Sequence, residues 1–164
     1  MKHLFHATYQ LLGPDGQPLT QPSSLKSNFI ALEGEQSILN VYFLNQANPT
    51  KYLALLSGAA SVSTVMSTMT EAVTPGANSY NRQQILDSDW SAPFLDNGDY
   101  ESQVLSKTFG PATTANWSNI TYLAIVTTLT GTGGLFLAAV NLGSVITVPV
   151  GQSFFCSVYA KALN

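Results

Sequence analysis

The sequence predicts a single all-β domain, an antiparallel sandwich or barrel of about eight or nine short strands. Only 9% of the 164 residues are charged, whereas Thr, Ser, Val, Tyr and Phe are abundant. This composition favours strands over long solvent-exposed helices. Short apolar segments alternate with turn sequences at close intervals, which is typical of sandwiches and barrels. The sequence shows no sustained helical period and no internal repeat, and its length suits one domain with a core of its own.

The first two thirds of the chain contain six predicted strands. The first ends at the turn sequence Gly13-Pro14-Asp15-Gly16, and the Pro-, Ser- and Gln-rich segment 17–27 is predicted to be an extended loop or arm. After a turn at 33–36, the segment 37–45 has one wholly apolar alternating face and one mixed face, which indicates a half-buried strand. The segment 57–78 fits either a short helix or a loop crossing one end of the sandwich. The predicted strands are 4–12, 28–32, 37–45, 51–56, 80–86 and 101–109.

The last third of the chain carries almost no charge. From Thr108 to Ala160 there is no Lys, Arg, Asp, Glu or His in 53 consecutive residues. A membrane-spanning helix needs about 20 consecutive apolar residues, and the Thr- and Gly-rich cluster 127–134 interrupts the best candidate with a turn. We therefore expect four strands here, about half of a sandwich, whose apolar side chains alternate between the core and a contact with another chain. They are 120–127, 135–142, 144–148 and 153–159.

Composition also argues against several classes of function. The net charge is −3 and no basic run occurs, so a nucleic-acid surface is not expected. The single cysteine, Cys156, lies among apolar residues and is expected to be a small buried side chain. His3 and His6 have a spacing that suits neither a strand nor a helix metal site, so a polar strand face is favoured over a metal site completed by other chains. No metal or cofactor is expected.

No catalytic set is evident, and we expect the protein not to be an enzyme. Both histidines precede residue 7, so a Ser-His-Asp triad is not credible. Asp87 and Asp89 would point the same way on a strand, and paired carboxylates can hydrolyse glycosides. The sequence from Asp96 to Glu101 is faintly similar to a calcium loop but lacks its ligand spacing. A solvated acidic loop over 87–101 is the favoured interpretation.

An ordered set of residues carries a resemblance to a known family. In order, these are Glu71, Tyr80-Asn81-Arg82-Gln83, Trp117, the apolar strand 120–125, Gly133-Gly134-Leu135 and the segment 148–154. This set resembles a family of bacteriophage virion proteins, tail-fibre-like or capsid-decorating. It covers residues 53–158 and departs from the family at Gln152, where an Asp is usual. Residues 1–50, with the N-terminal strands and the arm, are not matched by it.

The resemblance implies a jelly-roll-type β-sandwich on the virion. It does not fix the part of the virion, and the favoured hypothesis is a homotrimeric capsid decoration (cement) protein, whose partners would be copies of itself and the phage major capsid protein. The arm would then lie over neighbouring capsid subunits. A tail-fibre or baseplate module that contacts the host surface is the alternative. A carbohydrate-binding or depolymerase domain that uses the loop 87–100 is a third.

The residues of the resemblance have predicted structural roles. Arg82 is the only arginine, and Glu71 is the candidate for a bidentate ion pair with it, next to Tyr80. Trp117 is expected to cap the open end of the sandwich or to lie at an interface. Gly133, Gly134 and Gly151 are expected to supply positive φ angles at turns.

Overall fold

The computed structural model describes residues 2–24 and 27–163. Ten strands form two five-stranded antiparallel sheets, in the orders β2-β1-β10-β7-β6 and β3-β9-β8-β4-β5. The prediction of an all-β antiparallel sandwich is confirmed. The strands are β1 (Lys2–Leu12), β2 (Ser23–Ser24), β3 (Ser27–Ile30), β4 (Lys51–Leu56), β5 (Gln83–Ile85), β6 (Phe94–Asp96), β7 (Asp99–Phe109), β8 (Trp117–Val126), β9 (Phe136–Val148) and β10 (Ser153–Leu163).

The first and last strands are neighbours along their whole length. β1 and β10 pair from Lys2↔Leu163 to Leu12↔Ser153. The segment after β1 is irregular as predicted, but it returns along β1 instead of extending away from it. Leu19 N donates to Leu11 O at 2.8 Å, and Ser23 pairs with Tyr9 in the sheet. As far as residue 24, the predicted arm is therefore part of the edge of the sandwich.

The second sheet is buried on both faces. Leu53 of β4 and Leu123 of β8 face the core between the sheets, whereas Leu56 and Val126 belong to a smaller cluster with Met66 from the segment 57–78. That segment is a loop with turns and no helix. Burial on both faces explains why β4 and β8 are nearly continuous apolar runs instead of alternating patterns.

The strand predicted at 37–45 is wrong, because helix α1 (Leu32–Leu44) occupies this position. Its start is held by two contacts to β9. Glu33 Oε2 accepts a hydrogen bond from Phe136 N at 2.7 Å, and Gly34 lies so close to Leu137 that an added Cβ would be 2.0 Å from the Leu137 carbonyl oxygen. The helix ends at Asn45, whose φ of 52° is left-handed. Apolar residues on all sides of 38–44 obscured the helical period.

The strands predicted at 135–142 and 144–148 are one strand, β9. Its pairing with β8 passes from Tyr122↔Asn141 to Ile120↔Ile146, so β9 carries extra residues at this point. Gly143 lies among them with a φ of 72°, which makes it a bulge position and not a chain reversal. The charge-free stretch therefore contains three strands and not the predicted four, with β8 and β9 in one sheet and β10 in the other.

Candidate functional site

The predicted pair of Glu71 and Arg82 is present and almost completely buried. Arg82 Nε donates to Glu71 Oε1 at 3.0 Å, and Arg82 Nη2 donates to Glu71 Oε2 at 2.7 Å. The Arg82 side chain is 1% exposed and that of Glu71 10%. Arg82 also donates to the carbonyl oxygens of Thr128 and Gly131 at 2.8 and 3.0 Å. One guanidinium thus joins the loop before β5 to the β8–β9 hairpin.

Tyr80 extends the same network into the core. Its hydroxyl donates to Glu71 Oε1 at 2.9 Å and accepts from Leu55 N at 2.9 Å. Burial raises the pKa of Tyr80 well above its ordinary value, and the negative charge of Glu71 adds to the rise. Since every polar group of this cluster has a partner, its arrangement suits a structural anchor and offers no free nucleophile or base.

Trp117 lies at the start of β8 and is completely buried. Its Nε1 donates to Asn78 O at 3.1 Å, and its ring packs edge to face on Tyr80 at 5.5 Å. The tryptophan therefore closes the core at one end of the sandwich. The alternative expectation, a position at an interface, does not fit a side chain without exposure.

Asn78 organises the loop beside Trp117, and the sequence analysis did not identify it. Its φ is 51°, and its Oδ1 accepts backbone N–H groups of Thr113, Thr114 and Ala115 at 3.1, 2.6 and 3.0 Å. The partners lie more than 30 residues away, so no local pattern announces the contact. One side chain here replaces the missing backbone partners of a loop.

Two of the three predicted turn glycines, Gly133 and Gly134, do not have the expected positive φ. Gly151 has the expected positive φ, at 83°, but in the β8–β9 hairpin the positive φ belongs to Gly131, at 70°, and not to Gly133 or Gly134. A Cβ on Gly134 would lie 2.7 Å from Thr127 Oγ1, so close packing explains this glycine. A Cβ on Gly133 would meet nothing within 4 Å.

The acidic segment 87–101 is tied down by basic side chains. Asp89 Oδ2 accepts from Lys107 Nζ at 2.6 Å, and Asp96 Oδ2 from Lys161 Nζ at 2.7 Å. These contacts lower the pKa of both aspartates. Glu101 Oε2 lies 3.1 Å from His6 Nε2. Among residues 2–24 and 27–163, no three His, Cys, Asp or Glu side chains come together in a metal-binding group.

A cavity of about 510 Å³ opens between α1 and one end of the sandwich. Phe5 and Ile125 line it from the two sheets, and Val41 lines it from α1. Glu101 and Lys51 also contribute to its wall. Burial lowers the pKa of Lys51, and the nearby carboxylate of Asp87 partly opposes this effect. Most of the residues that line the cavity are apolar.

The C-terminal half of α1 projects its apolar side chains into solvent. Leu39, Tyr42, Phe43 and Leu44 are 55%, 81%, 72% and 67% exposed. The sequence analysis missed this surface because it assigned the segment to a strand. The spacing of Leu32, Leu39 and Phe43, seven and four residues apart, together with Asn45 as a stop, was the available signal.

Comparison with known families decides where the chain belongs. Residues 31–164 match the family described as "Gp80: Podophage GP4 fiber I protein gp80". The chain is a member of this family. The match begins at the start of α1, so this helix and all of β4 to β10 are parts of the shared podophage fibre I region. Comparison with the curated proteins gave no match.

Membership in the fibre I family makes the protein a structural component of a phage virion. The virion assignment made from Glu71, Arg82 and Trp117 is thereby confirmed at this level. No helix among the described residues has the length and apolar character to cross a membrane. The carboxylates of Glu71, Asp89 and Asp96 are engaged in ion pairs, which suits a structural role.

Proposed function

We propose that this protein is a structural subunit of the virion fibre, acting by binding and not by catalysis. The match of residues 31–164 to the fibre I family carries the proposal. The ion pairs of Glu71, Asp89 and Asp96 with their basic partners support it, because carboxylates held this way are not free to act as a general acid or base.

The expected capsid decoration protein, a homotrimer on the major capsid protein, stays a prediction and is the outcome that competes with the fibre proposal. A decoration protein and a fibre subunit differ in copy number per virion and in location. A decoration protein covers the head in hundreds of copies, whereas a fibre subunit is present in a small number at the fibre positions. Copy number and location therefore separate the two.

The test is cryo-EM of particles that carry a short epitope in the turn at Gly16. This turn is exposed, and a side chain added at Gly16 would meet nothing within 4 Å. Bound antibody fragments confined to fibres support the proposal, and a regular lattice of fragments over the head overturns it in favour of decoration. Untagged particles with the same fragment provide the control, and quantitative mass spectrometry against the major capsid protein gives the copy number.

A further inference from the structure

Helix α1 has two apolar faces, and only one of them meets the sandwich. Gly34 and Val41, seven residues apart, face the sheets and the cavity. Leu32, Leu39 and Phe43 follow the opposite side, since a separation of seven or eleven residues returns a helix to nearly the same direction. These three are 59%, 55% and 72% exposed. We call these three the outer stripe, together with Tyr42, which also lines the cavity but is 81% exposed.

The outer stripe and the end of α1 together expose enough apolar area for a small interface between two copies. A large aromatic side chain presents about 150–250 Å², so the exposed fractions of Tyr42, Phe43 and the two leucines, with Leu44 at the helix end, amount to roughly 600 Å² of apolar surface. The largest apolar patch on an ordinary monomer is about 300–600 Å². Two copies that bury this surface against each other would remove about 1,200 Å² from solvent, the lower end of the range of about 1,200–2,000 Å² for specific interfaces.

Charge indicates which partner fits. The charged residues of α1 are Glu33 and Glu35, both in the first turn, and the segment 36–50 contains no charged residue. A chain with a net charge of −3 repels copies of itself, and a contact face without charges keeps that repulsion small. Two helices crossing near Leu39 about a symmetry axis would bury Phe43 and Tyr42 without bringing like charges together. Homo-oligomers with closed symmetry bury the same patch on each copy.

We propose that the outer stripe of α1 is the surface through which copies of this chain associate. The occupant of the stripe is α1 of a second copy, packed apolar face to apolar face. This inference does not depend on whether the protein lies in the fibre or on the head, because it concerns contacts between copies and is tested on the purified chain.

The first experiment is sedimentation of wild-type protein and of Leu39→Glu and Phe43→Glu. We expect a wild-type oligomer at micromolar concentration and a dissociation constant at least about 30-fold higher in each variant, the change expected of one interfacial hot-spot side chain. Val145→Glu is the matched control, because Val145 is 65% exposed and lies at the bulge of β9, remote from α1. Circular dichroism spectra that match the wild-type spectrum, recorded at concentrations where the protein is monomeric, show that all three variants fold.

The second experiment is self-cross-linking of Leu39→Cys under mild oxidation. Cys156 is buried, and burial raises its pKa to about 12, so the introduced thiol is the reactive one. We expect a disulfide-linked dimer from Leu39→Cys and much less from Val145→Cys. A wild-type chain that stays monomeric at about 100 μM, with equal cross-linking at the two positions, overturns the proposal and assigns the stripe to a different virion protein.

Discussion

Arg82 holds both carboxylate oxygens of Glu71, at 3.0 and 2.7 Å, in a pair from which solvent is almost excluded. The pair connects parts of the chain that no strand pairing joins: the loop before β5 and the turn after β8. The pair fixes the position of these loops at one end of a sandwich whose surface carries few charges.

Arg82→Ala should lower the free energy of unfolding by about 3–5 kcal/mol, because it leaves the Glu71 carboxylate and two carbonyl oxygens buried without their donor. For a chain of this size the melting temperature should fall by roughly 10 °C. Urea unfolding followed by fluorescence gives the free energy, and thermal unfolding followed by circular dichroism gives the melting temperature. In the double variant Glu71→Gln/Arg82→Met, the loss of stability should be smaller than the sum of the losses in Glu71→Gln and in Arg82→Met, since no buried charge remains unpaired.

Asp87→Asn is the matched control for that prediction. Asp87 Oδ1 lies 3.9 Å from Lys51 Nζ, and the Asp87 side chain is 81% exposed. Removing such a surface pair should change stability by less than about 1 kcal/mol. Equal unfolding midpoints for Arg82→Ala and Asp87→Asn would contradict the structural importance of the buried pair.

Asn78→Ala should destabilise the protein by about 2–3 kcal/mol, because three backbone N–H groups lose their acceptor and alanine is less suited to positive φ. Asn97→Ala is a close control: Asn97 also has a φ of 51°, but its side chain donates only to neighbouring Asp96. The difference between the two, measured by chemical denaturation, isolates the anchoring of 113–115. Equal losses of stability in the two variants would mean that the conformation of 113–115 does not depend on the Asn78 side chain.

Gly34→Ala should loosen α1 from β9. The new Cβ would lie 2.0 Å from the Leu137 carbonyl oxygen, a backbone atom that cannot turn away, so the helix must shift at a cost of about 1–3 kcal/mol. Hydrogen exchange should report faster exchange in 32–44. Gly133→Ala introduces the same methyl group into open space and should leave stability unchanged or slightly raised. Protected amides in α1 of Gly34→Ala would refute the close contact.

The ion pair of Asp89 and Lys107 should contribute stability that depends on pH. The pKa of Asp89 is lowered, first by the hydrogen bond from Lys107 and then by that from Leu86 N. Because the folded pKa is below the unfolded one, the contribution is complete above about pH 4 and is lost as the pH falls through the lowered value. Carbon-13 titration of the Asp89 carboxyl between about pH 2 and pH 6 measures this window.

Lys107→Met should move the titration of Asp89 back toward its ordinary range, whereas Lys161→Met, which removes the partner of Asp96, should not. A midpoint for Asp89 that is the same in wild type and Lys107→Met would show that Lys107 is not the cause of the lowered pKa.

The strands that could be predicted are those whose burial on one face or on both produces a simple pattern of apolar residues. β4 was predicted with its observed bounds, and β1, β7, β8 and β10 within a few residues, because each is a continuous apolar or alternating run between turn sequences. The partner of Arg82 could also be predicted, because a lone arginine needs a carboxylate and Glu71 belongs to the same set of residues that carries the family resemblance. Gly133 and Gly134 were assigned the wrong role, because a glycine-rich turn does not indicate which glycine takes the positive φ.

Sequence by itself determined the strand-rich class of this protein and the absence of a basic run, since these follow from composition and short-range pattern, and the family resemblance indicated the Glu71–Arg82 pair. Tertiary structure decided that 32–44 is a helix. Glu33 and Gly34 find their partners on β9, about a hundred residues later, and these contacts select helix over strand where local preferences are balanced. For the same reason only the structure revealed that Leu39 and Phe43 face away from the sandwich.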